Sequence, residues 1–228
     1  MRSVFVTATG TGVGKTWFSC ALTTALVARG ERVAAIKPVE TGCDPDPLDA
    51  LALAEACGNL ALAHAPGLYR AREPLAPYAV EKRGGPSVGS LDSLVAEIRA
   101  LGAASDWCVV EGAGGVLVPV DARHTFADLM TRLGLATVLV APNGLGVLSH
   151  TLTAVESLRQ RDVDVAAVIL NDVLENGSDL SAGSNREVLE DLLPEIPVFP
   201  LPHAANVAAL ATRLTSIVEY LSKRLIEL

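Results

Sequence analysis

Six short runs of β-branched and apolar residues punctuate the chain: Val4-Phe5-Val6, Val33-Ala34-Ala35-Ile36, Val109-Val110, Thr137-Val138-Leu139-Val140, Val165-Ala166-Ala167-Val168-Ile169 and Val198-Phe199. None shows the polar alternation of a half-solvated strand, so each predicts a strand covered on both faces. Between them, segments around 15–29, 87–102, 147–161 and 184–193 repeat apolar residues at helical spacing. Strand and helix in alternation predict an α/β fold, a mainly parallel sheet flanked by helices on both faces. After the last strand, Val207, Leu210, Ala211, Leu214, Ile217, Val218, Leu221 and Leu225 fall on one helical stripe. That stripe predicts a helix packed on the sheet in preference to an amphipathic membrane anchor. From about 63 to 90, Pro66, Pro74, Pro77, Gly84, Gly85 and Pro86 interrupt any period and predict a long irregular surface loop, of a kind that often serves binding. No internal repeat or low-complexity tract is visible, and the 228 residues are expected to form one domain, 1–228.

Charge and cysteine usage narrow the function. With 18 basic against 26 acidic residues the formal charge is -8, so the chain lacks the global positive field that draws proteins to nucleic acid. Any anionic ligand has to be held by local donors. Charged residues, Gly or Pro interrupt every apolar run before the roughly 18 residues that a membrane span needs. The chain opens on a strand pattern with no basic-then-apolar leader ahead of it. Cys20, Cys43, Cys57 and Cys108 are scattered without CxxC or zinc-like spacing, so they are expected to be small buried apolar residues in a reducing, cytoplasmic setting. His64, His124 and His203 sit among dissimilar neighbours and read as incidental.

The sharpest local signal is Thr9-Gly10-Thr11-Gly12-Val13-Gly14-Lys15-Thr16, between the first strand and a helix opening at Lys15. Glycines there let several N–H groups converge on phosphate oxygens, and the helix N-terminus adds its positive dipole end. Lys15 then lies along the β and γ phosphates and the Thr16 hydroxyl reaches Mg²⁺. The loop is one residue longer than the strict pattern, and Ala8 stands at its start.

Other polar groups sit at strand ends, where open α/β sheets bind ligands. Lys37 ends the second strand, before Pro38-Val39-Glu40-Thr41-Gly42. Glu111 ends the third, before Gly112-Ala113-Gly114-Gly115, a Walker B-like arrangement. Asp49, near a helix start, reads on its own as a dipole partner or cap. Thr16, Asp49 and Glu111 with phosphate oxygens make a chemically sensible set for Mg²⁺. Asn143-Gly144-Leu145-Gly146 precedes a helix expected near Ser149-His150 and offers an N-terminal site suited to a carboxylate. His150 is assigned no chemistry. Asn171-Asp172, ending the fifth strand, is either a purine-facing pair or an ordinary turn.

Along nearly its whole length the chain resembles the dethiobiotin synthetase family. The resemblance is carried by Gly10–Thr16, Lys37–Gly42, Asp49-Ala50-Leu51-Ala52-Leu53, Val110–Gly115 and Asn171-Asp172-Val173. It implies a single-domain P-loop NTPase fold and a homodimer. The implied reaction uses ATP, Mg²⁺ and CO₂ to convert 7,8-diaminononanoate to dethiobiotin through a carbamic-phosphoric anhydride. By similarity, Lys15, Lys37 and Thr11 serve catalysis, and Thr16, Asp49 and Glu111 hold the metal. Gly12, Val13, Gly14, Gly112, Ala113 and Gly114 hold the nucleotide, which Asn171, Asp172, Pro200, Leu201 and Pro202 border. Thr41 touches the diamine, and Leu145 and Gly146 receive the substrate carboxylate across the dimer. Ala8 departs from the first glycine usual in the family, and Gly10 and Gly12 stand at positions acidic in some members. A small effect is expected, since phosphate is held mainly by backbone N–H groups. A different class shares this fold: partition or positioning ATPases, nucleotide-switched dimers that act on DNA or membrane. Their loop usually carries an extra lysine near its start, where this chain has Ala8, Thr9 and Gly10. A ligase acting on a larger acid is a further alternative, although such chains normally add a glutamine-hydrolysing domain.

Overall fold

The computed structural model describes residues 1–173 and 179–225. In chain order the elements are β1 (Arg2–Ala8), α1 (Lys15–Ala28), β2 (Val33–Ile36), β3 (Val39–Thr41), α2 (Leu48–Ala56), β4 (Tyr69–Ala71), α3 (Pro77–Lys82), α4 (Leu91–Gly102) and β5 (Trp107–Glu111). There follow α5 (Phe126–Leu133), β6 (Ala136–Pro142), α6 (Val147–Arg159), β7 (Val165–Asn171), α7 (Ala182–Leu192), β8 (Val198–Leu201), α8 (Val207–Ala211) and α9 (Thr215–Arg224). Six strands form one parallel sheet in the order β2-β5-β1-β6-β7-β8.

Each of the six apolar runs supplies a strand of this sheet, and the reason is burial on both faces. In β1, Val4, Val6 and Ala8 pack under α1, α8 and α9, whereas Phe5 packs with α4, α5 and α6 on the other side. Burying both faces leaves no place for polar alternation. Cys20, Cys43 and Cys108 are buried and Cys57 is half-buried, all as free thiols. No helix among the described residues is long and apolar enough to cross a membrane.

Three expectations need correction. The 63–90 stretch is not irregular throughout: it contains β4, which pairs in parallel with β3 as a second, two-stranded sheet, and the short helix α3. The apolar tail forms two helices, not one. The Thr212 hydroxyl donates to the carbonyl of Ala209 at 2.8 Å and the Arg213 guanidinium to that of His203 at 3.0 Å, and α9 starts afresh at Thr215. The stripe survives the break because Leu210, Leu214, Ile217, Val218 and Leu221 still face the same core. Finally, α6 opens at Val147, earlier than Ser149-His150, because Gly146 takes φ 90 as its cap.

Candidate active site

The C-terminal ends of β1, β2 and β5 are neighbours in the sheet, so the loops that leave them meet at one edge. That is the crevice where ligands bind in open α/β folds. Lys37, one residue past β2, is 3% exposed and reaches across to β5. Its Nζ donates to Glu111 Oε1 at 2.5 Å, to Asp49 Oδ2 at 2.8 Å and to the Gly112 carbonyl at 3.1 Å. The Thr16 hydroxyl, in the first turn of α1, donates to the same Glu111 oxygen at 2.8 Å. Glu111 is fully buried at the end of β5, and its Oε2 has no protein partner. Thr16, Lys37, Asp49 and Glu111, distant in the chain, thus form one cluster.

Burial works against the Lys37 charge, but Glu111 and Asp49 outweigh it and leave the ammonium pKa raised. For Asp49, burial is likewise outweighed, chiefly by Lys37, and its carboxyl falls below the usual range. For Lys15 the same carboxylates fall short. Burial and the Lys37 charge, opposed by Glu111 and Asp49, lower it to about 8, and its Nζ reaches only the Gly10 carbonyl, at 3.5 Å.

Above the cluster opens a cavity of about 590 Å³. Thr11, Gly12, Gly14, Lys15, Thr16, Lys37, Thr41, Asp49, Ala113 and Gly114 line it, so ten of the residues expected at the site share one volume. Its remaining lining is Glu40 and a largely apolar wall of Trp17, Pro74, Leu75, Ala76, Pro77 and Val118. The Pro-rich loop therefore does reach the site. Two loop glycines are required by the backbone, Gly12 at φ 74 and Gly14 at φ 95, values that L side chains rarely adopt. Ala8 closes β1 without a positive φ.

The chain matches the family described as an AAA domain over residues 2–211. It is 40% identical over 219 residues to "ATP-dependent dethiobiotin synthetase BioD" of Anaeromyxobacter dehalogenans (strain 2CP-C), covering 96% of this chain and 97% of that protein. The chain belongs to the dethiobiotin synthetase family. Another relative, "ATP-dependent dethiobiotin synthetase BioD 1" of Escherichia coli (strain K12), is 36% identical over 86% of this chain and 90% of its own length. Solved structures of similar fold include the cell division ATPase MinD of Pyrococcus furiosus, with TM-score 0.59 and 15% identity over 98% of this chain and all of that one. The pnob8 ParA structure has TM-score 0.59 and 13% identity, covering 99% of each chain. At such identities the likeness concerns the fold alone.

Not every residue expected from the dethiobiotin synthetase resemblance lies on the cavity. Asn171 is buried behind the phosphate loop and donates from Nδ2 to the Val13 carbonyl at 2.9 Å. Asp172 bonds the Asn143 amide at 2.8 Å, and its N–H donates to the Leu201 carbonyl at 2.9 Å. Pro200 and Pro202 are exposed beside them, whereas the Leu201 side chain is fully buried in the core and leaves only its backbone to a ligand. None of these five lines the cavity. Leu145 is 88% exposed, and its N–H already donates to Asp179 Oδ2 at 2.6 Å. Asp179 was not visible as a competitor in the sequence. Neither was Glu40, whose carboxylate lines the cavity and accepts from the backbone of Asp49 and Ala50, nor Trp17 at the rim.

Proposed function

We propose that this chain is an ATP-dependent dethiobiotin synthetase acting on 7,8-diaminononanoate, CO₂ and ATP in the cytoplasm as a homodimer. The observation that carries the reading is the single cavity in which a phosphate loop, a buried lysine-carboxylate cluster and an apolar wall meet. One amine adds to CO₂ and loses a proton to give a carbamate. A carbamate oxygen attacks the γ-phosphorus and ADP leaves. The second amine then attacks the carbamoyl carbon and phosphate leaves, closing the cyclic urea. With both amines on adjacent carbons the closure is intramolecular, worth roughly 7–11 kcal/mol when the groups are well oriented. Thr41 borders the diamine, and Lys15, Lys37 and Thr11 face the transferring phosphoryl group. The fixed charges of Lys15 and Lys37 in a shielded site match the charge that develops there.

Thr16, Asp49 and Glu111 are the residues that would hold Mg²⁺. The all-oxygen donor set suits it, and the buried Glu111 Oε2 lacks any protein partner. Held there, Mg²⁺ would supply charge neutralisation for the phosphates. Leu145 and Leu180, 88% and 98% exposed near Asp179, are side chains that a partner subunit would cover in such a homodimer. Cytoplasmic placement is supported by the free thiols. The reaction reading predicts ADP release only when diamine is present; ADP released at full rate without it would favour the switch ATPase.

Two further results are expected. The folded Lys15 pKa of about 8 lies below the unfolded 10.5, so the charged form costs stability below pH 8 and the penalty fades as pH rises toward 10.5. Phosphate oxygens restore the charge. ATP binding at pH 8 should therefore take up roughly half a proton, read by calorimetry in buffers of different ionisation enthalpy. Heats independent of buffer would place Lys15 away from the phosphates. Asp179 competes for the amide proposed to receive the substrate carboxylate, so Asp179→Ala should lower the KM for the diamine by about two- to fivefold and leave that for ATP alone. An unchanged diamine KM would put the carboxylate elsewhere.

A further inference from the structure

The two-stranded sheet lies outside the main sheet, yet its facing residues grip the site from behind. Parallel pairing of β3 with β4 sets Glu40 opposite Arg70. The Glu40 carboxylate accepts the Asp49 N–H at 2.8 Å on one oxygen and the Ala50 N–H at 2.9 Å on the other. These are the second and third amides of α2, the donors that an N-cap side chain ordinarily satisfies. Pro47 occupies the cap position and has no acceptor to offer. Glu40 therefore caps the helix from a separate strand, and it does so on the residue whose carboxylate meets Lys37 at 2.8 Å.

Arg70 holds the other half of that pair. Its guanidinium donates to the carbonyl of Lys37 at 2.9 Å, of Tyr69 at 2.8 Å and of Ala63 at 3.1 Å. The strand end that carries Lys37 is thus tied to the same small sheet that ties down α2. Both contacts run to backbone, so they fix where the main chain of Lys37 and Asp49 stands, not which side-chain rotamer each adopts.

We propose that Glu40 and Arg70 are positioning residues that set the Asp49–Lys37 separation and, through Asp49, the site's affinity for a divalent cation. The proposal rests on reading Asp49 as a metal ligand. Groups that orient metal ligands typically contribute about 10–100-fold to metal affinity.

The test is a Mg²⁺ titration of fluorescent ATP-analogue binding to the wild type, Glu40→Gln and Arg70→Lys. In each variant the Mg²⁺ concentration giving half the full effect, referred to that variant's own binding in EDTA, should rise about tenfold or more. A merely structural role would lower thermal stability and leave that concentration where it was. Should Glu40→Gln be too unstable to titrate, Glu40→Asp, which keeps the charge on a shorter stem, takes its place with the same expectation. Variants that respond to Mg²⁺ within twofold of the wild type overturn the proposal alone. A wild type whose nucleotide binding ignores Mg²⁺ overturns the metal reading beneath it.

Discussion

Lys37→Ala is expected to lower turnover by about 10²–10³-fold, the usual cost of removing one preorganised charge from a developing anion, and to change ATP affinity by less than about tenfold. The asymmetry follows from geometry. Lys37 sits at the cavity floor against Glu111 and Asp49, whereas the phosphate loop and Lys15 are intact without it. The substitution also leaves the fully buried Glu111 without its cation. Breaking a buried pair in this way costs about 3–5 kcal/mol. For a chain of this length that is about 6–20 °C in melting temperature. Mg²⁺ can stand in for the missing charge, so a good part of the loss should return when Mg²⁺ is added. Steady-state kinetics, ATP titration and melting with and without Mg²⁺ check all three effects. Normal turnover would remove Lys37 from the chemistry, and a melting loss indifferent to Mg²⁺ would separate the metal from this cluster.

Gly14→Ala should weaken ATP binding by roughly 10²-fold or more. Gly14 takes φ 95, and a Cβ built there lies 2.1 Å from Nδ2 of Asn171. Asn171 is buried and bonded to the Val13 carbonyl, so moving its amide aside breaks that bond inside the core. The positive φ alone costs on the order of 1–3 kcal/mol, and the displaced amide adds to it. Asn171→Ala in the same chain opens the space without relieving the backbone, so the double variant should recover part of the binding but not all. ATP affinity measured for the two single variants and the double one checks this. Wild-type affinity in Gly14→Ala would mean that the loop adopts another course.

The pairing of Gly14 with Asn171 shows where the sequence was readable and where it was not. The phosphate loop, Lys37 and Glu111 were legible because each is a chemical type at a strand end or helix start, and the topology brings strand ends together; Asp49 read on its own as a helix cap and joined them through the family resemblance. The six main strands were legible because burial on both faces makes them continuous apolar runs. By contrast, β3 and β4 have three residues each and no apolar run of their own, since β3 carries Glu40 and β4 carries Arg70. The roles of Glu40, Arg70 and Asn171 stayed hidden for one reason: their partners are backbone amides and carbonyls, which no side-chain pattern displays. The break between α8 and α9 was hidden in another way, because two helices that share one core face keep a single stripe. Asp179 and Leu145 meet from segments 34 residues apart, a contact that only the fold creates.

Incubating the purified protein with 7,8-diaminononanoate, labelled bicarbonate, ATP and Mg²⁺, and following acid-stable label together with ADP, separates a ligase from a switch ATPase. Label should be fixed in a product only when diamine and ATP are both present, with ADP formed in equal amount. ADP formed without diamine, and no acid-stable label, would contradict the ligase reading.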